Sequence, residues 1–273
     1  MLPILFLVLL ASVIIGWIVF QPTWRDYQRK KIASIPFSRD WRKIIQRRMP
    51  YFRSMPADLQ LQLKRHIQIF LTEKKFIGLQ GIEINDEIRV TIAAQACLLL
   101  LNRKTNYYPK LKSILVYPRA FVTKHDTSHA NGVKFTQHAI LSGESWGYGK
   151  IVLSWHDTLE GAQVPHDGRN VVIHEFAHQL DQEDGSANGA PILGKHQSYE
   201  NWSQVFSKQF MLLQHQAEIG AKSIFDYYGA TNPAEFFAVA SEVFFEQAQA
   251  FKQDYPELYE QLRLYYRVDP AIW

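Results

Sequence analysis

Two histidines four residues apart, with a glutamate directly after the first, stand in the apolar stretch NVVIHEFAHQLD at residues 170–181. On a helix, side chains four apart share a face, about 5–6 Å between Cβ atoms. His174 and His178 can therefore each aim a ring nitrogen at a single Zn2+. Glu175 is turned about 100° around the axis, off the ligand line but near enough to take a proton from a metal-activated water. That division of labour is the chemistry of an H-E-x-x-H helix. No proline or glycine interrupts residues 171–180, so the helix that carries the pair is rigid and its surroundings are of low dielectric.

A catalytic zinc takes three protein ligands and keeps one position open. Cys97 is the single cysteine, which excludes a thiolate-rich site and any intrachain disulfide and leaves carboxylates as candidates for the third place. Asp181 follows on the face of His174, as a ligand or as a partner orienting a histidine, and Asp184 lies in the loop beyond. Glu200 stands 22 residues past His178 and Glu235 stands 57 past it. Position alone leaves Glu200 and Glu235 level. Glu235 has the stronger context, because it and Glu242 interrupt the apolar face of PAEFFAVASEVFF, where a carboxylate is costly to bury unless paired or metal-bound.

Taken together, HEFAHQLD, the loop DGSANGAP and PAEFFAVASEVFF, with GESWGYGKIVLSWHD upstream, resemble the Mlc titration factor A family of zinc-dependent peptidases. The likeness runs over roughly residues 57–270. It implies a gluzincin-like, zincin-type domain with a catalytic core similar to that of the anthrax lethal factor. It also implies His174, His178 and Glu235 as the zinc ligands and Glu175 as general base, which decides against Glu200. Tyr228 lies seven residues before Glu235, where the family carries a tyrosine, and its phenol could donate to the oxyanion of the tetrahedral intermediate. Tyr227 beside it stays open as the alternative. The implied activity is hydrolysis of peptide or protein substrates, with an aminopeptidase among the options and exo- against endo-cleavage undecided. The family is named for binding a transcriptional repressor of sugar uptake. The alternative reading is therefore a regulatory binding protein that captures such a repressor, with peptidase activity secondary.

The elements that must position these residues are arranged unevenly along the chain. Residues 1–20 carry no charged side chain, and twenty helical residues match a hydrocarbon core of about 30 Å. They are expected to form an uncleaved transmembrane anchor. Residues 21–53 hold ten Lys/Arg against Asp26 and Asp40, a net of +8, so in a chain of +4 the remaining residues sum to −4. A mildly acidic body argues against direct nucleic-acid binding. The positive flank places the body in the cytoplasm, at the inner membrane. The expected organisation is an anchor at 1–20, a basic connector at 21–56 with a short helix over RDWRKIIQRR, and a zinc peptidase domain at 57–273.

Within the body, ADLQLQLKRHIQIFLTEK has helical periodicity, and DEIRVTIAAQACLLLLNRK reads as a buried helix capped by Asp86. Three runs, LKSILVYPRAFV, GVKFTQHAIL and YGKIVLSWHD, read as strands. IVLSW is a candidate edge strand for pairing with an extended substrate. After residue 167 the pattern is helical, with Asn232 as N-cap and Pro233 at the first position of the helix bearing Glu235. The order predicts an α+β fold with a small mixed sheet and a mainly helical C-terminal half. His125 and His129 are also four apart, but KHDTSHANG reads as a loop.

Overall fold

The computed structural model describes residues 2–119, 149–164 and 166–273. It opens with a 32-residue helix, α1 (Leu2–Ala33), followed by α2 (Arg39–Arg48) and a 3-10 turn at Pro50–Arg53. Next come α3 (Ala57–Glu73), β1 (Lys75–Gly78), α4 (Asp86–Leu98) and β2 (Ser113–Tyr117). The strand β3 (Lys150–Ser154) runs straight into α5 (Trp155–Gln163). The rest is helical: α6 (Val171–Asp181), α7 (Tyr199–Ile219), α8 (Pro233–Glu246), α9 (Ala248–Asp254) and α10 (Pro256–Tyr266).

The sheet is ordered β1-β2-β3, and both pairings are parallel. Where a mixed sheet is expected from the sequence, the described strands are parallel throughout, and α4 supplies the crossover that β1 and β2 need as parallel neighbours. The run at 132–141 lies outside the described residues, as do His125 and His129. Among the described strands β3 borders the sheet and pairs with β2 alone. Its run is shorter than YGKIVLSWHD suggests: Ser154 accepts the Asp157 N–H and caps α5, so the chain turns helical at Trp155.

The predicted buried helix is α4, with every residue from Val90 to Leu98 buried. Its cap is corrected from Asp86 to Asn85, whose extended backbone lets its side chain accept the Ile88 N–H at 3.0 Å. Asp86 is already helical and accepts the Trp41 indole N–H instead. Residues read as connector lie against this helix. Ile45 of α2 and Phe52 are each 1% exposed, and Arg47 and Arg48 both pair with Glu87.

Arg29, near the end of α1, forks onto Glu73 of α3 through Nε at 2.6 Å and Nη2 at 3.0 Å. The N-terminal part of α1 exposes Ile4, Phe6, Val13, Trp17 and Phe20. Among the described residues no helix is long and apolar enough to cross a membrane; the side chains at positions 2, 5, 7 and 8 are outside that set.

The two helices that matter for the site, α6 and α8, are set by aromatic packing. Phe176 of α6 meets Tyr108 and Phe70 at ring distances of 4.8 and 5.7 Å. Phe237 and Phe244 of α8 pack on Tyr265 and Tyr266 of α10. Large rings on fully buried faces leave each helix little freedom to rotate, so the polar face of each is turned toward the other.

Candidate metal centre

The helix α6 begins where the Asn170 side chain accepts the Ile173 N–H at 3.0 Å. That cap starts the helix four residues before His174 and brings His174 and His178 onto one face, as their spacing requires. Across from them, Asn232 caps α8 by accepting the backbone N–H of Glu235 itself at 3.0 Å. The cap read from the sequence therefore fixes the residue that closes the site.

Three atoms converge. Glu235 Oε2 lies 3.0 Å from His174 Nε2 and 3.2 Å from His178 Nε2, and the two Nε2 atoms are 3.2 Å apart. The side chain of His174 donates from Nδ1 to Glu242 Oε1 at 2.7 Å, which leaves its Nε2 as a lone pair in the neutral ring. Three acceptors facing one point repel unless a proton or a metal ion sits among them, and a bound metal would take the place of the proton. Burial works against charge on His174, but Glu242 and Glu235 hold its pKa well above the ordinary imidazole range. Burial alone would raise the Glu235 carboxyl; hydrogen bonds from His174 and His178 instead hold it at about 2. The donor set suits a metal: for bonds of about 2.0–2.1 Å the edge of a tetrahedron is about 3.3 Å, close to the three separations. His174, His178 and Glu235 form a group that could hold a metal ion.

The remaining candidates separate. Glu200 is exposed in the first turn of α7 and outside the converging group. Asp184 is exposed in the following loop. Asp181 is fully buried, but it is outside the converging group as well. Its Oδ2 accepts the Gly189 N–H at 2.9 Å. Gly189 has φ +75°, and a Cβ there would collide with the carbonyl oxygen of Pro233. Its own carbonyl accepts the Trp202 indole N–H. The DGSANGAP loop thus ties the end of α6 to the start of α8, two residues from Glu235.

Glu175 is partly buried beside the histidines, and burial raises its pKa against the opposing pull of His174 and His178. The ring of Tyr228 lies 6.0 Å from that of His174 and is 38% exposed, whereas Tyr227 packs against the core. Asp226 caps the short turn carrying both, accepting the Tyr228 N–H at 2.9 Å.

Three functional contacts were not read from the sequence. Glu242 orients His174, Asn170 donates its backbone N–H to Glu242 at 2.5 Å, and Glu246 accepts the Asn170 amide at 3.0 Å. A signal existed. Glu235, Glu242 and Glu246 fall at helical spacings of seven and eleven residues, one stripe on an otherwise apolar helix.

A second group with ligand-like spacing, His156, Asp157 and Glu160 on α5, is largely solvent-exposed. Such surface clusters are ordinary without an ion.

Comparison with known proteins agrees with this geometry. The model of the family described as glucose-regulated metallo-peptidase M90 matches residues 23–267. An uncharacterized protein of Synechocystis sp., slr2042, is 39% identical over 273 residues, covering 100% of this chain and 99% of the relative. Mlc titration factor A of Salmonella agona is 30% identical over 244 residues, 88% of this chain and 91% of its own. The protein of that name from Salmonella arizonae is 31% identical over 245 residues, 88% and 96%. The match begins ahead of α2, in keeping with the packing of residues 39–55 on the body. The chain therefore belongs to the glucose-regulated metallo-peptidase M90 family, that of Mlc titration factor A.

Proposed function

We propose that this chain is a zinc-dependent peptidase in which His174, His178 and Glu235 hold the metal, Glu175 is the general base and Tyr228 serves the oxyanion. The observation that carries the reading is the convergence of three acceptor atoms at 3.0–3.2 Å with Glu175 and Tyr228 on its border. A metal bound there would supply Lewis acidity, polarising a peptide carbonyl and acidifying a water. The chain's own groups do the rest. Glu175, made more basic by burial, accepts the proton of the attacking water and returns it to the leaving amine. Tyr228 donates its phenolic O–H to the oxygen on which charge develops. Glu242 fixes the tautomer and ring plane of His174. The test is zinc content and peptide hydrolysis of the full chain, before and after chelation. Stoichiometric zinc with hydrolysis that chelator abolishes and zinc restores is expected; hydrolysis untouched by metal removal overturns the reading.

A second reading rests on the relatives' printed name, Mlc titration factor A. It is that the body captures a repressor of the Mlc kind, with or without cleavage. Binding that survives Glu175→Gln while hydrolysis fails would separate the two activities.

The uncharged sequence of residues 1–20 and the exposed side chains from Ile4 to Phe20 support a third element, anchoring of the chain in the inner membrane through α1 with the body in the cytoplasm. Recovery of the full chain in the soluble fraction after cell lysis, with nothing in the membrane pellet, would remove it.

A further inference from the structure

Behind the three converging atoms runs a chain of buried hydrogen bonds that reaches the far end of α8. Glu242 Oε1 accepts His174 Nδ1–H at 2.7 Å, and its Oε2 accepts the backbone N–H of Asn170 at 2.5 Å. The Asn170 side-chain amide donates to Glu246 Oε1 at 3.0 Å, and Glu246 Oε2 accepts the backbone N–H of His166 at 3.1 Å. Asn170, Glu242 and Glu246 are 2%, 7% and 3% exposed. His166 is held in turn by Gln247 Nε2, which donates to its carbonyl at 2.9 Å, with its own backbone at φ +96°.

Capping alone does not account for this. Asn170 already satisfies α6 with Oδ1, and serine or aspartate would do that as well. Its amide nitrogen donates to Glu246 at 3.0 Å, a second carboxylate that burial penalises and that touches no group of the site directly, and at 3.4 Å to the Gly161 carbonyl. From one face of α8, then, Glu235 meets the histidines at the N-terminal end while Glu246 grips the entry to α6 at the C-terminal end. Glu242 between them depends on Asn170 for the placement of one oxygen and aims the other at His174.

We infer that the Asn170–Glu246 pair is a positioning element that sets metal affinity by holding Glu242 against His174; this rests on the metallopeptidase reading above. Loosening the pair lets the Asn170 backbone N–H drift, Glu242 loses one of its two anchors, and the His174 ring can rotate out of line. Partners behind a ligating histidine are worth about 10–100-fold in affinity.

The test uses the full chain and reads Zn2+ affinity by chelator competition, on folded protein well below each variant's unfolding temperature. Asn170→Ser keeps the cap and the charge but loses the amide donor. Glu246→Gln keeps one acceptor where two N–H groups need one each. Both are expected to weaken Zn2+ binding about tenfold or more and to alter the visible absorption of the Co2+-loaded protein. Combining Asn170→Asp with Glu246→Gln inverts the bond. The amide introduced on α8 then donates to the carboxylate introduced at the cap of α6, and its oxygen accepts the His166 N–H. The cap survives and the net charge is unchanged. Affinity should return to within about threefold of the natural chain, the coupling expected of groups in contact. Natural affinity in Asn170→Ser, or no recovery in the double variant, overturns the inference. Absence of Zn2+ binding by the natural chain would instead sink the metallopeptidase reading and this inference with it.

Discussion

Glu175 is held by charge more than by contact: burial lifts its pKa, and His174 and His178 pull it back. A carboxylate with a raised pKa is the better proton acceptor near neutrality, and Glu175→Gln removes that capacity while keeping shape. We expect peptide hydrolysis to fall about 10²–10⁴-fold with zinc content unchanged, measured as initial rates beside metal analysis; a variant that keeps its rate disqualifies Glu175 as base. The two tyrosines, level in the sequence, are distinguished by their surroundings. The Tyr228 ring lies 6.0 Å from that of His174, and Tyr227 is partly buried against the core. Tyr228→Phe should lower kcat on the order of 10²-fold with little change in KM, as loss of an oxyanion donor does. Tyr227→Phe should keep kcat, so the reverse pattern would move the role to Tyr227.

The helices α6 and α8 are placed by their ends. Much of this was legible in the residues: His and His at four, Asn232 before Pro233 at the start of α8, and a glycine-rich loop between. What periodicity could not give was which buried polar group meets which, because that depends on the rotation of two helices packed through Phe176, Phe237 and Phe244. Asp181 shows the difficulty. Its spacing suits a partner for the site, yet the loop folds Gly189 back onto it. Gly189→Ala would force a side chain into a positive-φ position against Pro233, costing at least about 1–2 kcal/mol; a lower unfolding temperature with weakened metal retention is the expected result, and a neutral effect on both would show the loop to be adaptable. Glu246 offers a titration at the other end. Burial lifts its pKa from 4.5 to about 7. Above that range both folded and unfolded chains are ionised and the fold bears the full burial penalty, while below 4.5 both are protonated and the penalty is gone. Stability should therefore fall as pH rises through the window, by at most about 1.4 kcal/mol per unit. Chemical unfolding at several pH values should show this slope in the natural chain and a flatter one in Glu246→Gln; equal slopes would assign the dependence to other groups.

The whole chain is tied together through Arg29. The helix α1 runs from Leu2 to Ala33 with Pro22 inside it, so its apolar part and its clamp on the body belong to one helix that lacks a backbone donor at Pro22. Arg29 is 9% exposed; besides its fork on Glu73 it donates to Asn106 Oδ1 at 3.1 Å and lies 4.6 Å from the Tyr107 ring centroid. Arg29 lies nine positions after Phe20, roughly 14 Å of helix. If the apolar end enters a bilayer, the folded body is therefore held close to the surface by continuous helix, with Pro22 a point at which that helix can bend. A planar fork with a stacked ring is a geometry that lysine does not reproduce, so Arg29→Lys and Arg29→Ala should behave alike. In both, Glu73 loses the two-point fork and Asn106 its guanidinium donor, about 1.5–3 kcal/mol if fully desolvated and less here, where Glu73 is a quarter exposed. The loss falls on the docking of α1, because α3 keeps its packing on α4. Limited trypsin digestion reads this directly. Cleavage at Arg25, Lys30 and Lys31 should be about tenfold faster in either variant, while the body resists as before. Cleavage at the natural rate in Arg29→Ala would mean that α1 is held by something other than this clamp.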